Sequence, residues 1–143
     1  MTAITLDQAQ TIVAAALRFA REQKYQPLAV ALLDARGVMK AFAAEDGTSL
    51  RREEIARGKA HGALAFGLGS RALAKRAVDT PHFIAAVTHV VGGSLVPVPG
   101  GVLIRGADRA ILGAVGISGD VSDNDEAAAL AGIAAAGLAG DPG

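Results

Sequence analysis

Cysteine and tryptophan are absent from this 143-residue chain, and aromatic residues make up only 3% of it. Without cysteine the chain has no disulfide, no thiolate nucleophile and no thiolate metal ligand. Charge of one sign is not in excess either, because 14 Lys and Arg balance 14 Asp and Glu. Nucleic acids and anionic membranes attract basic surfaces, so this balance argues against both as partners.

Long apolar runs are also missing. No stretch approaches the roughly 20 apolar residues of a membrane span, and residues 1–7 lack the basic start and apolar core of a signal peptide. We therefore expect a cytoplasmic protein, with residues 1–143 forming one domain. What is abundant is small apolar side chains, which suit close packing of helices on a sheet. Apolar surface beyond the needs of the core predicts a homo-oligomer.

Hydrophobic periodicity and capping signals predict five helices. Thr5 and Gln8 form a capping box for the first, and Pro81 follows Thr80 at the start of the fourth. The first predicted helix covers about 6–24, and the second is capped by Ser49 and ends near Phe66. The third and fourth cover about 70–77 and 81–90. The last is capped by Ser122 or Asp123.

Short aliphatic runs separated by turns predict five strands in two groups. The first group is a hairpin around the turn at 34–37, and the second is joined by turns at 100–101 and 106–109. Gly140 onward is expected to be a frayed tail. This order predicts an α+β domain with one antiparallel sheet. The predicted strands are Leu28–Leu33, Val38–Ala43, Leu95–Val98, Val102–Arg105 and Ala110–Ser118.

Several motifs follow one another in an order that chance rarely produces. The chain has Asp-Ala-Arg-Gly at 34–37, Asp-Gly at 46–47, and Lys-Ala-His-Gly-Ala at 59–63. Gly-Gly-Val-Leu-Ile follows at 100–104. Gly-Ala-Val-Gly-Ile-Ser-Gly at 113–119 then precedes Asp-Asn-Asp-Glu at 123–126. In this arrangement the sequence resembles the GlcG/HbpS family, also known as DUF336.

That resemblance implies a profilin-like α-β-α sandwich around a five-stranded antiparallel sheet. It also implies oligomers, haem as a cofactor, and kinship with the C-terminal domain of PduO-type corrinoid adenosyltransferases. Members often accompany catabolic enzymes. Ala44, Gly62 and Leu103 stand where members commonly carry Arg, Thr and Pro.

His61 and Lys59 are the main candidates for chemistry, because the family motif places their helix segment at the cleft. His61 is a candidate axial ligand of haem iron. Lys59 is surrounded by small residues and is a candidate to hold a carboxylate or act as an acid. The structural alternatives are a packed histidine and a lysine paired with Glu53 or Glu54.

Gly100, Gly101 and Ser118 are candidates for cofactor binding, in a cleft between the second helix, the glycine turn and the strand end. Glycines let backbone N–H groups approach a ligand, although tight turns explain them equally well. Other candidates are more simply structural: Asp123 as a helix cap, and a set of helical side chains comprising His82, His89, Arg51, Arg52 and Arg57.

Three functional hypotheses follow. The first is a small-ligand or haem-binding protein that is accessory to a catabolic pathway, as the resemblance implies. The second is a cofactor-free lyase or isomerase that uses His61 and Lys59 as acid–base groups. The third is an accessory subunit that docks onto a partner enzyme.

Overall fold

A computed structural model describes residues 3–143 of the chain. These residues form five helices and five strands. Among them, no helix is both long and apolar enough to span a bilayer. The elements are α1 (Leu6–Glu22), β1 (Ala29–Asp34), β2 (Met39–Ala44), α2 (Arg52–Phe66), α3 (Ser70–Asp79), α4 (Pro81–Val90), β3 (Gly101–Arg105), β4 (Ile111–Ser118), α5 (Ser122–Ala135) and β5 (Ala139–Asp141).

The five strands form one sheet in the order β2-β1-β4-β3-β5. Every pairing is antiparallel. The predicted α+β fold with a five-stranded antiparallel sheet is therefore confirmed. The central strands β1 and β4 are almost entirely buried, whereas β2 and β5 form the two edges.

Helices cover both faces of the sheet. α1 and α5 pack together on one face, where alternate residues of β1, β3 and β4 form the main core. α2 crosses the other face, which carries Ala29, Ala31, Leu33, Leu103 and Ala114. α3 and α4 form a satellite cluster around Leu73, Ile84 and Leu95.

Small residues on the α2 face bring the helix backbone close to the sheet. A Cβ atom on Gly116 would overlap the carbonyl oxygen of Ala56, and one on Gly101 would overlap that of Lys59. Only glycine leaves room for such an approach. The abundance of Gly and Ala in the sequence thus serves the contact between α2 and the sheet.

Two predicted elements are wrong. Leu95–Val98 is an irregular segment instead of a strand, so Gly100-Gly101 does not form a hairpin turn. Pro97 and Pro99 have no N–H to donate to a strand ladder, which explains the difference. The fifth strand is β5, which pairs with β3 at the place where a frayed tail was predicted.

The predicted helix starts are correct for α1 and α4, where Thr80 is the N-cap residue before Pro81, although its side chain makes no capping hydrogen bond. Thr5 and Gln8 form the expected capping box. The residue before α2 is Arg51, without a side-chain cap, so Ser49 does not cap it. Val121 occupies that position for α5; neither Ser122 nor Asp123 caps the helix, because both lie inside its first turn.

Candidate functional site

His61 is fixed by a hydrogen bond to the backbone on the outer side of α2. Its Nδ1 lies 2.8 Å from the carbonyl oxygen of Ser94. A carbonyl oxygen can only accept, so Nδ1 carries the proton and donates it. In the neutral ring the lone pair therefore resides on Nε2. This bond assigns the tautomer and orients the ring, as is usual for histidines that bind metals.

A small hollow lies beside the free side of the His61 ring. Its volume is about 140 Å³, and its walls come from the β1–β2 turn and the C-terminal half of α2. At Gly37, a Cβ atom would lie 3.5 Å from Cδ2 and 3.9 Å from Nε2 of His61, so the glycine keeps the approach to Nε2 open. The lining residues are Ala35, Arg36, Gly37, His61, Leu64 and Ala65.

The hollow offers one nitrogen ligand, apolar walls and one cation. The Arg36 side chain is 78% exposed and pairs with Asp34, with an Nη2 to Oδ2 distance of 2.9 Å. This pairing also holds the pKa of Asp34 below its usual value, chiefly through the side-chain hydrogen bond from Arg36. Among residues 3–143, no group of three or more His, Asp or Glu side chains could hold a bare metal ion. A metal bound at His61 must therefore bring most of its own ligands.

Lys59 lies in a different environment, deep under α2. Its side chain is 2% exposed. Nζ donates to the carbonyl oxygen of Ile117 at 2.8 Å and to Oδ2 of Asp125 at 3.1 Å. The predicted alternative, a pair with Glu53 or Glu54, is wrong, because the lysine points beneath the helix and those carboxylates pair with Arg57 and Arg51.

Burial governs the titration of this ion pair. Desolvation lowers the pKa of Lys59 below its usual value, opposed by the charge of Asp125. Desolvation likewise raises the pKa of Asp125, opposed by the charge of Lys59. Asp125 also accepts a hydrogen bond from the backbone N–H of Asp120. The pair therefore ties α2 to the end of β4 and the start of α5.

Gly100, Gly101 and Ser118 surround Lys59 in tightly packed positions. A Cβ atom on Gly100 would lie 2.9 Å from Nζ of Lys59. The N–H of Gly101 donates to Ser70 Oγ at 2.7 Å. Ser118 Oγ accepts from Arg52 Nη1 at 3.0 Å. Backbone and side chains fill the region in which the sequence predicted a cleft, and the cofactor-binding roles of these residues stay predictions.

His61 and Lys59 are not brought together. They are two positions apart on one helix, so their side chains leave α2 about 200° apart. His61 contacts the Ser94 segment and the β1–β2 turn, whereas Lys59 contacts β4 and α5. Lys59 is not among the residues that line the hollow beside His61. The acid–base pair of the lyase hypothesis stays a prediction that this geometry does not favour.

The remaining candidates have structural surroundings. His82 and His89 are both exposed on α4. Arg52 also donates to Ser49 Oγ at 3.1 Å. Asp123 does not cap α5; it accepts a hydrogen bond from Arg71, which also binds Glu126 and so links α3 to α5.

Sequence reasoning missed the neighbours of His61. Leu64 and Ala65 lie three and four residues further along α2, a spacing that could have revealed their shared helix face. Arg36, Gly37 and Ser94 come from two distant loops. No local pattern in the sequence signals their approach to the helix.

Solved structures resemble this chain over nearly its whole length. PduOC, in a complex with haem, is 24% identical with a TM-score of 0.84, covering 95% of this chain and 96% of its own. HbpS is 28% identical with a TM-score of 0.79, covering 94% and 90%. The DUF336 protein ORFY of Klebsiella pneumoniae is 21% identical with a TM-score of 0.85, covering 96% and 92%.

No curated protein is detectably similar in sequence. A family model described as "Haem degrading protein HbpS-like" does match, over residues 4–134. The match covers most of the chain, and the fold agrees with that of HbpS itself. The protein is therefore a member of the HbpS-like family.

Proposed function

We propose that this protein binds haem, with His61 as the ligand to iron. The observation that carries the proposal is the setting of His61: its Nδ1–H is engaged by Ser94, which leaves Nε2 as the free ring nitrogen, and the ring lines an open hollow. Family membership and the haem complex of PduOC support the choice of ligand.

The residues at the hollow suit a metal carried in a macrocycle. A porphyrin supplies four nitrogen ligands to its iron, so one imidazole from the protein is enough. Leu64 and Ala65 provide apolar contact beside the histidine, and Arg36 is a cation within the same lining. Arginine binds carboxylates such as haem propionates through paired hydrogen bonds. His61 would coordinate the iron, and bound haem would supply the redox chemistry of that iron.

The protein's own contribution is orientation. The hydrogen bond from Nδ1–H to the Ser94 carbonyl fixes the tautomer of the ring and stops it from turning away. Gly37 keeps side-chain atoms away from Nε2. Because the hollow of about 140 Å³ is smaller than the 300–1,000 Å³ pockets that enclose small molecules, it would not enclose the macrocycle, and His61 would hold haem at the mouth of the hollow.

Titration with haemin, followed at the Soret band, tests the proposal. We expect the wild-type protein to shift the band and to saturate at one haem per chain. His61→Ala should weaken binding at least about tenfold, since metal affinity depends on the ligand and its support. His89→Ala, which removes an exposed histidine from α4, is the matched control and should bind as the wild type does.

Added imidazole provides a second readout. It should restore the ligand-field spectrum to the His61→Ala protein, because it can occupy the space of the missing ring. The proposal is overturned if the wild-type protein leaves the Soret band unchanged. It is equally overturned if His61→Ala and His89→Ala titrate alike.

A further inference from the structure

A glycine on α2 lies beside the loop that orients His61. Gly62 follows His61 directly, and a Cβ atom on Gly62 would overlap Cδ1 of Leu95. Leu95 in turn follows Ser94, whose carbonyl oxygen lies 2.8 Å from Nδ1 of His61. Two neighbouring residues of the helix therefore contact two neighbouring residues of the loop, one pair through a hydrogen bond and the other through close packing.

The loop that carries Ser94 is the α4–β3 connection, residues 91–100, which contains no helix or strand of its own. Its Leu95 side chain is only 6% exposed and packs with Leu73 and Ile84. Because this side chain is enclosed, it fixes the backbone to which the Ser94 carbonyl belongs. The position of that carbonyl therefore depends on how closely Leu95 approaches α2.

A second glycine keeps the α4–β3 connection against α2. The carbonyl oxygen of Gly58 accepts a hydrogen bond from the N–H of Val96 at 3.2 Å, and a Cβ atom on Gly58 would lie 2.7 Å from Cγ2 of Val96. Gly58 and Gly62 are four residues apart and share one face of the helix. The connection thus lies on a part of α2 that has no side chains to hold its backbone away.

A methyl group at Gly62 would have no free space to enter. Besides overlapping Cδ1 of Leu95, it would lie 3.5 Å from Cα of Leu95 and 3.6 Å from Cδ1 of Leu73. Added volume in a packed cluster forces side chains and backbone to shift. The bond of 2.8 Å between His61 and Ser94 is lost once its atoms move about 0.8 Å further apart. A shift of the connection by less than the width of a methyl group therefore releases Nδ1.

We propose that Gly62 is a positioning residue for His61: by admitting Leu95 to α2, it sets the Ser94 carbonyl at hydrogen-bonding distance and keeps the imidazole proton on Nδ1. The hydrogen bond made by one ring nitrogen decides which nitrogen carries the proton. Without the bond to Ser94, the proton can occupy Nε2, the nitrogen that would coordinate iron. The consequence for haem rests on the function proposed above, whereas the consequence for the proton does not.

The tautomer of His61 in the haem-free full chain tests the positioning role directly. Long-range proton–nitrogen NMR spectra distinguish the two tautomers of a neutral imidazole, and comparison with His61→Ala identifies the His61 signals. At about pH 8, where an ordinary histidine is neutral, we expect the wild type to hold the proton on Nδ1. Gly62→Ala should give a mixture of both tautomers. Alanine is a better helix former than glycine, so α2 should stay helical, which circular dichroism checks.

A compensating variant separates this role from a general loss of packing. Leu95→Val removes the Cδ1 atom that the new methyl would meet, so the double variant Gly62→Ala, Leu95→Val should return the proton to Nδ1. Gly140→Ala is the matched control, because its methyl would also meet a leucine methyl, Cδ2 of Leu130 at 2.7 Å, but in the core on the opposite face of the sheet. It should leave the tautomer of His61 as in the wild type.

Haemin titration of the same proteins extends the test to binding. Loss of a partner that orients a metal-binding histidine lowers metal affinity about 10–100-fold, so Gly62→Ala should bind haem at least about tenfold more weakly. The double variant and Gly140→Ala should bind as the wild type does. Absence of haem binding by the wild type would overturn the proposed function, and the tautomer measurement would still decide the role of Gly62.

The outcomes that refute the positioning role are distinct. A wild-type protein with the proton on Nε2, or a Gly62→Ala protein that keeps it on Nδ1, refutes the proposal. A mixture of tautomers that persists in the double variant refutes the role of Leu95. An altered tautomer with unchanged haem affinity refutes the link between Gly62 and binding.

Discussion

Replacing Lys59 by methionine tests whether the buried ion pair stabilises the fold. Met has a similar length and keeps most of the packing under α2, but it removes the charge. Asp125, 1% exposed, would then retain only the N–H of Asp120. The carbonyl of Ile117 would lose the donor that lies 2.8 Å away. An uncompensated charge and an unpaired acceptor would be left in the interior.

Removing one partner of a buried pair costs about 3–5 kcal/mol. With a urea dependence of about 2 kcal/mol per molar for a domain of this size, the unfolding midpoint should fall by roughly 1.5–2.5 M. The loss of unfolding free energy in Lys59→Met should be greater at higher pH. The pKa of Asp125 in the folded protein is raised above 3.8, and loss of the lysine charge raises it further. Folding then takes up a proton, so stability falls as pH rises through the window above 3.8.

Urea denaturation of Lys59→Met at pH 7 and pH 5 measures both effects. We expect the loss of stability to be larger at pH 7. Adding Asp125→Asn removes the orphaned charge and should recover much of the loss, since neutral replacements of both partners are often harmless. A cost below about 1 kcal/mol at pH 7 would refute the reasoning, as would a cost independent of pH that Asp125→Asn does not relieve.

Three further predictions concern packing, acid stability and ligand contact. Gly116→Ala should cost about 3 kcal/mol or more in denaturation experiments, because the new methyl overlaps the backbone of Ala56; Gly58→Ala, whose methyl would meet the movable side chain of Val96, should cost clearly less. The pKa of Asp120 is lowered chiefly by the backbone N–H of Gln26. Asp120→Ala should therefore reduce the free energy of unfolding by about 1–2 kcal/mol at pH 7. This difference between variant and wild type should disappear as the pH falls below 3.8 and through the lowered pKa of Asp120. Arg36→Ala should weaken haem binding several-fold without changing the Soret maximum of the saturated complex, which spectroscopic titration would show.

Local sequence patterns were sufficient for most of the helices and for the first hairpin. The capping box at Thr5 and Gln8 and the Pro81 start are contacts within one turn of helix, so the sequence determines them directly. The hairpin turn at Asp34 to Gly37 is equally local. The order of the motifs also predicted the fold, because the resemblance to GlcG/HbpS proteins implied the five-stranded sheet that the structure contains.

The fifth strand and the environment of the candidate site depended on tertiary structure. β5 has only three residues, and it is a strand because β3 offers it an edge and Arg105 binds its Asp141. Lys59 meets Asp125 across 66 positions of sequence, a distance at which no spacing rule operates. The sequence by itself determined that His61 lies on a helix among small residues. Only the folded chain decided that Ser94 holds its Nδ1 and that the ring lines a hollow, because Ser94 and the β1–β2 turn approach α2 once the sheet has formed.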